Sequence, residues 1–250
     1  MRTNTLLPPF LLSLSDCATA KGVPVASVRA AMAAYAGALA PFAAAVQRHP
    51  ELGMSQRLGA SPRFTDVEWG CYSQNTEDGI LDWIFAIIGT KSKRAVEMCS
   101  GVGYENNVAS LVLFHGWEAL LLDGSDKMSS QSSAFFAQPG MAALAGMGKA
   151  HSLQAFITRD GTGKYAGVNG LVSGKNGPAG FGGFKGEIDL YSLDMDGMDW
   201  WIWEKLTVVT PRVVVVEIQE LWGPWERKTR PYVCSPPCSP PASPPASPSN

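Results

Sequence analysis

The chain has almost no excess charge, with 20 Lys and Arg against 22 Asp and Glu and a formal net charge of −2. That balance gives no reason to expect a polyanion partner, and the short basic groups Lys91–Arg94 and Arg227–Arg230 read as solvated faces. Nucleic acid is therefore not expected. Long apolar runs are also missing, since none approaches the roughly 20 residues that a membrane-spanning helix needs. Cysteine is sparse and unpaired in pattern: Cys17, Cys71, Cys99, Cys234 and Cys238 are odd in number, with no CxxC and no zinc-ligand spacing. They read as reduced thiols. Acidic residues are nearly absent from the first 50 positions, where Arg2, Lys21, Arg29 and Arg48 face Asp16 alone. Such an alanine-rich, acid-poor segment suits an organelle transit peptide, while Arg2, the apolar Leu6–Leu12 and Ala18-Thr-Ala20 suit secretory processing. A third reading is a helix packed on the domain, because Val28, Met32, Tyr35 and Leu39 share one face ahead of Pro41. Without a targeting role for this segment, a cytoplasmic location is the default.

What is present is a core-forming composition. An apolar fraction of 46% in 250 residues supports one substantial domain. We place an N-terminal extension at residues 1–69, an α/β domain at 70–225 and a disordered Ser/Pro-rich tail at 226–250, where CSPPCSPPASPPASP favours polyproline II. Within the domain, Ile80, Leu81, Ile84, Phe85 and Ile88 repeat at helical spacing up to Gly89. A short strand at Arg94–Met98, a glycine-rich loop, a helix ending near Gly116 and a strand ending at Asp123 make a βαβ unit. Further strands are expected at His151–Thr158, Ile188–Asp194 and Arg212–Glu217, with a helix over Trp200–Leu206. Between them lies a glycine-rich insert without periodicity. The alternation predicts a Rossmann-like, doubly wound, mostly parallel sheet, incomplete at its C-terminal edge where the proline-rich tail takes over.

In such a sheet, ligands bind beyond the carboxyl ends of the strands. That rim would collect Glu97 and the loop after it, Asp123, the acids Asp194 and Asp196, and Glu217. An acid at the tip of the second strand can accept hydrogen bonds from both hydroxyls of a ribose, so an adenosine-containing ligand is expected. Gly101-Val-Gly103-Tyr-Glu-Asn106 lacks the third glycine of a dinucleotide fingerprint. Glu97-x-Cys99-x-Gly101-x-Gly103 instead resembles the E-x-G-x-G-x-G loop of class I S-adenosylmethionine-dependent methyltransferases, with Cys99 in place of the first glycine.

Other side chains have bland readings beside functional ones. Ser73 and Glu77 form a loose capping pattern for the helix that follows, although a cofactor-side role for Ser73, Gln74, Glu77 and Asp78 is open. Asp199 reads as a helix N-cap. Trp200, Trp201 and Trp203 read as anchors of that helix on the sheet, and His115 and His151 as structural histidines. An EF-hand is excluded because Gly197 falls too early and the loop lacks its final glutamate. Asp194 and Asp196 are the candidate catalytic acids, either as a direct base or as ligands of Mg²⁺.

Taken in order, SQNTEDGIL, VEMCSGVGYENN, HGWEALLLDG, DLYSLDMDGMDWWIW and PRVVVVEIQ resemble the FkbM-type methyltransferase-like family over about residues 70–220. The resemblance implies a Rossmann-like core, S-adenosylmethionine as cofactor, and O-methylation of a hydroxyl on a sugar or secondary metabolite. By position it assigns Glu97, Gly101 and Gly103 to the cofactor and Asp123 to its ribose. A metal-dependent glycosyltransferase is the rival, with Asp194-Met-Asp196 as a D-x-D pair on a sugar nucleotide. A truncated, non-catalytic methyltransferase-like protein is the third reading.

Overall fold

The computed structural model describes residues 64–145, 148–161, 165–218 and 228–232, together with Ala30, Ala33, Ala34, Gly37, Ala40 and Ala44, which are helical and exposed. The face proposed for Val28, Met32, Tyr35 and Leu39 and the Ser-Pro-Pro repeat lie outside these residues. Helical Ala44 stands beyond Pro41, so the proline is not the last boundary of helix in this region.

A five-stranded sheet orders the described residues. Its strands are β1 (Arg94–Met98), β2 (Glu118–Asp123), β3 (Lys149–Gln154), β4 (Gly186–Leu193) and β5 (Val209–Val216), in the spatial order β3-β2-β1-β4-β5. Every neighbouring pair is parallel. The chain leaves β1 toward β2 and β3, then returns to the other side of β1 at β4. The strand order reverses there, which puts a topological switch point at the carboxyl ends of β1 and β4. Pro211 sits in β5, a strand with one edge free among the described residues, where a missing N–H costs no ladder bond.

Side-chain alternation sorts the strands onto two covered faces. Ala95, Ala119, Leu121 and Leu190 pack with Leu81 and Phe85 of α1 (Glu77–Ile88) and with Leu111 and Val112 of α2 (Ala109–His115). Val96, Met98, Leu120, Leu122, Tyr191 and Leu193 face the insert and the later helices. These side chains are nearly all inaccessible, and each buried Leu, Val, Met or Phe among them contributes roughly 1.5–3 kcal/mol. Helices α3 (Asp126–Ala137) and α4 (Pro139–Ala145) link β2 to β3, and the Ser125 hydroxyl accepts the Met128 N–H to start α3.

The structure revises three local readings. β3 runs from Lys149 to Gln154, earlier than the segment expected from the apolar pattern. The glycine-rich insert contains a helix, α5 (Val168–Val172), because Val168, Leu171 and Val172 at i, i+3 and i+4 seat on the sheet. The packed unit also begins before residue 70, since Val67 and Trp69 are buried. Gly79 explains that junction: a Cβ there would stand 2.3 Å from Val67 O and from the Trp69 ring. No helix among the described residues is long and apolar enough to cross a membrane.

Candidate functional site

The loop after β1 turns back sharply, with left-handed backbone at Cys99 (φ 56°), Gly101 (φ 63°) and Gly103 (φ 92°). Position 99 thus has the geometry that favours glycine, and the cysteine adopts it at a cost of about 1 kcal/mol. The two glycines do different work. A Cβ at Gly101 would meet nothing within 4 Å, so its backbone is open to a ligand, whereas one at Gly103 would stand 2.9 Å from the Phe135 ring. The loop is tied to the tip of β2: Ser100 N donates to Leu122 O at 3.0 Å, and Gly101 N donates to Asp123 Oδ2 at 3.0 Å. Ser125 N donates to Asp123 Oδ1 at 2.7 Å. Asp123 is 7% exposed and pre-oriented, and each oxygen keeps a lone pair beyond its amide.

Glu97 points to the face opposite Met98 and meets the start of α2. Its carboxyl accepts Asn107 N at 2.8 Å, Val108 N at 3.2 Å and the Ser192 hydroxyl at 3.4 Å, so it satisfies amides that the helix leaves unpaired. Burial pushes its carboxyl up to about 7 despite those donors. Asn106 completes the helix start by accepting Ala109 N at 2.8 Å, and its own N–H donates to Tyr72 O at 2.8 Å. The polar block before α1 is thereby held beside the glycine loop. Inside that block Asp78, fully buried, accepts the N–H groups of Cys71, Tyr72 and Ser73, while Ser73 Oγ accepts Asp78 N. The capping partner of Ser73 is therefore Asp78 rather than Glu77, whose carboxylate takes Asn75 N. Neither Asn106 nor Asp78 stands out in the sequence as a loop organiser. The one available signal is an Asn three residues ahead of the helix, a capping spacing.

Across the rim, single oxygens of Asp194, Asp196 and Glu217 lie within 4.8 Å of one another, and all three residues are exposed. Partial burial raises the Asp194 carboxyl above its ordinary range; a hydrogen bond with Glu217 opposes this, and the like charges of Asp196 and Asp199 add to it. Asp196 has left-handed backbone (φ 51°) and is followed by Gly197 (φ 92°). Asp199 is not the N-cap of α6 (Asp199–Lys205) but its first residue; Met198 occupies the cap and makes no side-chain cap bond. The Asp199 carboxylate instead accepts Met195 N at 2.9 Å and Gly197 N at 3.0 Å, clasping the turn that carries Asp196. The tryptophans differ from expectation as well. A seven-residue helix presents Ile202 inward with Leu206 just beyond it, leaving Trp200 and Trp203 at 53% and 41% exposure.

Cys99 registers how close these groups are. Although Cys99 is exposed at the surface, desolvation by the surrounding protein and then the negative charges of Asp123, Asp194, Asp196 and Asp199 push its thiol up, so it stays protonated and is a poor nucleophile. The glycine loop, Asp123 and the acidic cluster thus share one rim. The histidines stand elsewhere: His115 pairs with buried Asp82 at 2.9 Å, and His151 with Glu118 at 3.0 Å. A cleft of about 820 Å³ opens beside the rim, lined by Gly124, Gln154, Ala155, Phe156 and Tyr165 among others. A second cleft of about 630 Å³ shares Tyr165 and Asn176 with it and extends to Arg159 and Lys205. The first cleft adjoins Asp123 through Gly124. No protein-family model, curated protein or solved structure matches the chain.

Proposed function

We propose that the chain binds S-adenosylmethionine and is an O-methyltransferase of FkbM-like type, acting on a hydroxyl of a small molecule or carbohydrate. The observation that carries this reading is the Gly101 N–H···Asp123 bond, which sets an open glycine loop against a ribose-side carboxylate beside a nucleoside-sized cleft. In this reading Gly101 approaches the cofactor, Asp123 receives the ribose hydroxyls, and Glu97 and Gly103 support the loop from behind. Methyl transfer needs an acceptor oxygen held in line with the sulfonium carbon and relieved of its proton. In this reading Asp196 takes that proton directly, or the cluster of Asp194, Asp196 and Glu217 acts through a metal instead. A Mg²⁺ held by these three groups would lower the pKa of the acceptor hydroxyl, and their oxygen-only donor set suits that ion.

The same cluster favours one rival, a metal-dependent glycosyltransferase in which Asp194, Asp196 and Glu217 hold Mn²⁺ and a nucleotide sugar. Calorimetric titration of the full chain with S-adenosylmethionine, S-adenosylhomocysteine, NAD and UDP-glucose, with and without Mn²⁺, separates the readings. Saturable binding of the two S-adenosyl ligands supports the methyltransferase. Binding of UDP-glucose alone with Mn²⁺ replaces it with the rival, and binding of none leaves a non-catalytic protein.

A further inference from the structure

Residues 228–232 belong to no strand or helix, and the sequence pattern places them in a tail. They are nonetheless seated on the fold. Trp201 Nε1 donates to Arg230 O at 2.7 Å, and Arg159 N donates to Tyr232 Oη at 2.8 Å. Thr229 Oγ1 donates to Gly197 O at 3.3 Å, and Arg230 Nη1 donates to Asp196 O at 3.4 Å. The Trp201 and Tyr232 rings approach to 6.2 Å. Gly197 fits this arrangement for a second reason besides its φ of 92°: a Cβ there would stand 2.8 Å from Arg230 Cδ, so the arginine stem lies on bare backbone. The turn that carries Asp196 is therefore gripped twice, from within by the Asp199 carboxylate and from outside by Arg230 and Thr229.

A non-glycine residue with left-handed backbone persists only where its surroundings hold it. Asp196 is such a residue, and the clasp of Asp199 reaches only the amides on either side of it. We propose that residues 228–232 are a strap that holds the Asp196–Gly197 turn, with Arg230 as a positioning residue for Asp196. The functional meaning of this role rests on Asp196 being a working acid of the rim; the strap itself does not. Arg230 acts through two separable parts, the stem on Gly197 and the donor to Asp196 O.

Hydrogen exchange on the full chain tests the strap. In Arg230→Ala the Met195 and Gly197 amides should exchange about tenfold faster than in the parent, while amides of β1 and α2 keep their rates. Arg230→Lys, which retains stem and charge, should restore most of the protection, and Arg230→Met, which retains only the stem, should restore less. Trp201→Phe, lacking the donor to Arg230 O, should act in the same direction as Arg230→Ala. Trypsin should cleave after Lys228 slowly in the parent and quickly in Trp201→Phe. Unchanged exchange at Met195 and Gly197 in Arg230→Ala, or no rescue by lysine, overturns the proposal. Titration of the parent and of Arg230→Ala with S-adenosylhomocysteine keeps the two readings apart: absent binding in both sinks the methyltransferase reading and leaves the strap standing.

Discussion

Asp189 and Asp194 lie five positions apart, within the first half of β4 and just past its end, and the two ends of the sheet treat them in opposite ways. At the amino end Asp189 is fully buried and accepts the N–H groups of Lys91, Ser92 and Lys93, together with Arg212 Nη1 at 2.6 Å. Burial alone would raise its carboxyl, but the Arg212 guanidinium and those amides outweigh it and hold it below the usual range. At the carboxyl end Asp194 is exposed, has two more carboxylates within reach and is held above that range. A carboxylate ringed by donors stabilises a fold, whereas carboxylates drawn close together store repulsion that a cation, a proton or a ligand can relieve.

The largest effect that would sharpen this contrast is Asp189→Ala, which removes the counter-charge of an Arg212 guanidinium still bonded to the Ile88 and Gly89 carbonyls and deprives three amides of their acceptor. It should cost about 3–5 kcal/mol in urea unfolding at pH 7, while Asp194→Ala should change stability by no more than about 0.5 kcal/mol. Equal losses would break the comparison. Because the Asp189 carboxyl is held low, its contribution is present above its ordinary range near 3.8 and is lost as pH falls through the lowered value.

Glu97 offers the next test, since it is buried like Asp189 but has no cation bonded to it among the described residues. With a carboxyl raised from 4.5 to about 7, the folded state holds the proton more tightly than the unfolded chain. Its contribution is full below pH 4.5 and falls away by about 3 kcal/mol as pH rises to 7 and above. Glu97→Gln should therefore gain on the parent in chemical denaturation as pH moves from 5 to 8. A difference that stays flat over that range would show that Glu97 ionises freely.

Asp123→Ala should weaken S-adenosylhomocysteine binding by about 1–3 kcal/mol in calorimetry, with a smaller effect on unfolding. Affinity that does not change would remove Asp123 from the ligand. His115 supplies the smallest effect. Burial disfavours its cation, but the Asp82 carboxylate at 2.9 Å outweighs that and raises the imidazole. The pair stabilises the fold fully below pH 6.5, and the benefit disappears as pH climbs through the raised value. His115→Gln should cost about 1 kcal/mol at pH 6 and less at pH 9.

The strands and the rim were legible because they rest on short-range pattern. Apolar Leu120–Leu122 between Glu118 and Asp123 reads as a buried strand, and a parallel sheet then puts Glu97, Asp123, Asp194 and Glu217 near one edge. What each acid does there was not legible. Asp78, Asp189 and Asp199 are each spent on backbone amides that lie in loops whose paths no periodicity records. The exposed Trp200 and Trp203 were misread because hydrophobicity alone does not say which side of a short helix faces inward. The seat of residues 228–232 was hidden for the same reason, since its hydrogen-bond partners lie on α6, on the turn before it and beyond β3.

By itself, then, the sequence determined the α/β alternation, the parallel sheet and the edge of that sheet on which chemistry is to be sought. All of these follow from residue spacing along one chain, with periods of 2.0 and 3.6. The tertiary structure decided which acids are compensated, which glycine is open, and that Arg230 reaches Asp196. Those outcomes depend on donors brought in from distant segments, and a carboxylate carries no mark in the sequence of the partner that folding will give it.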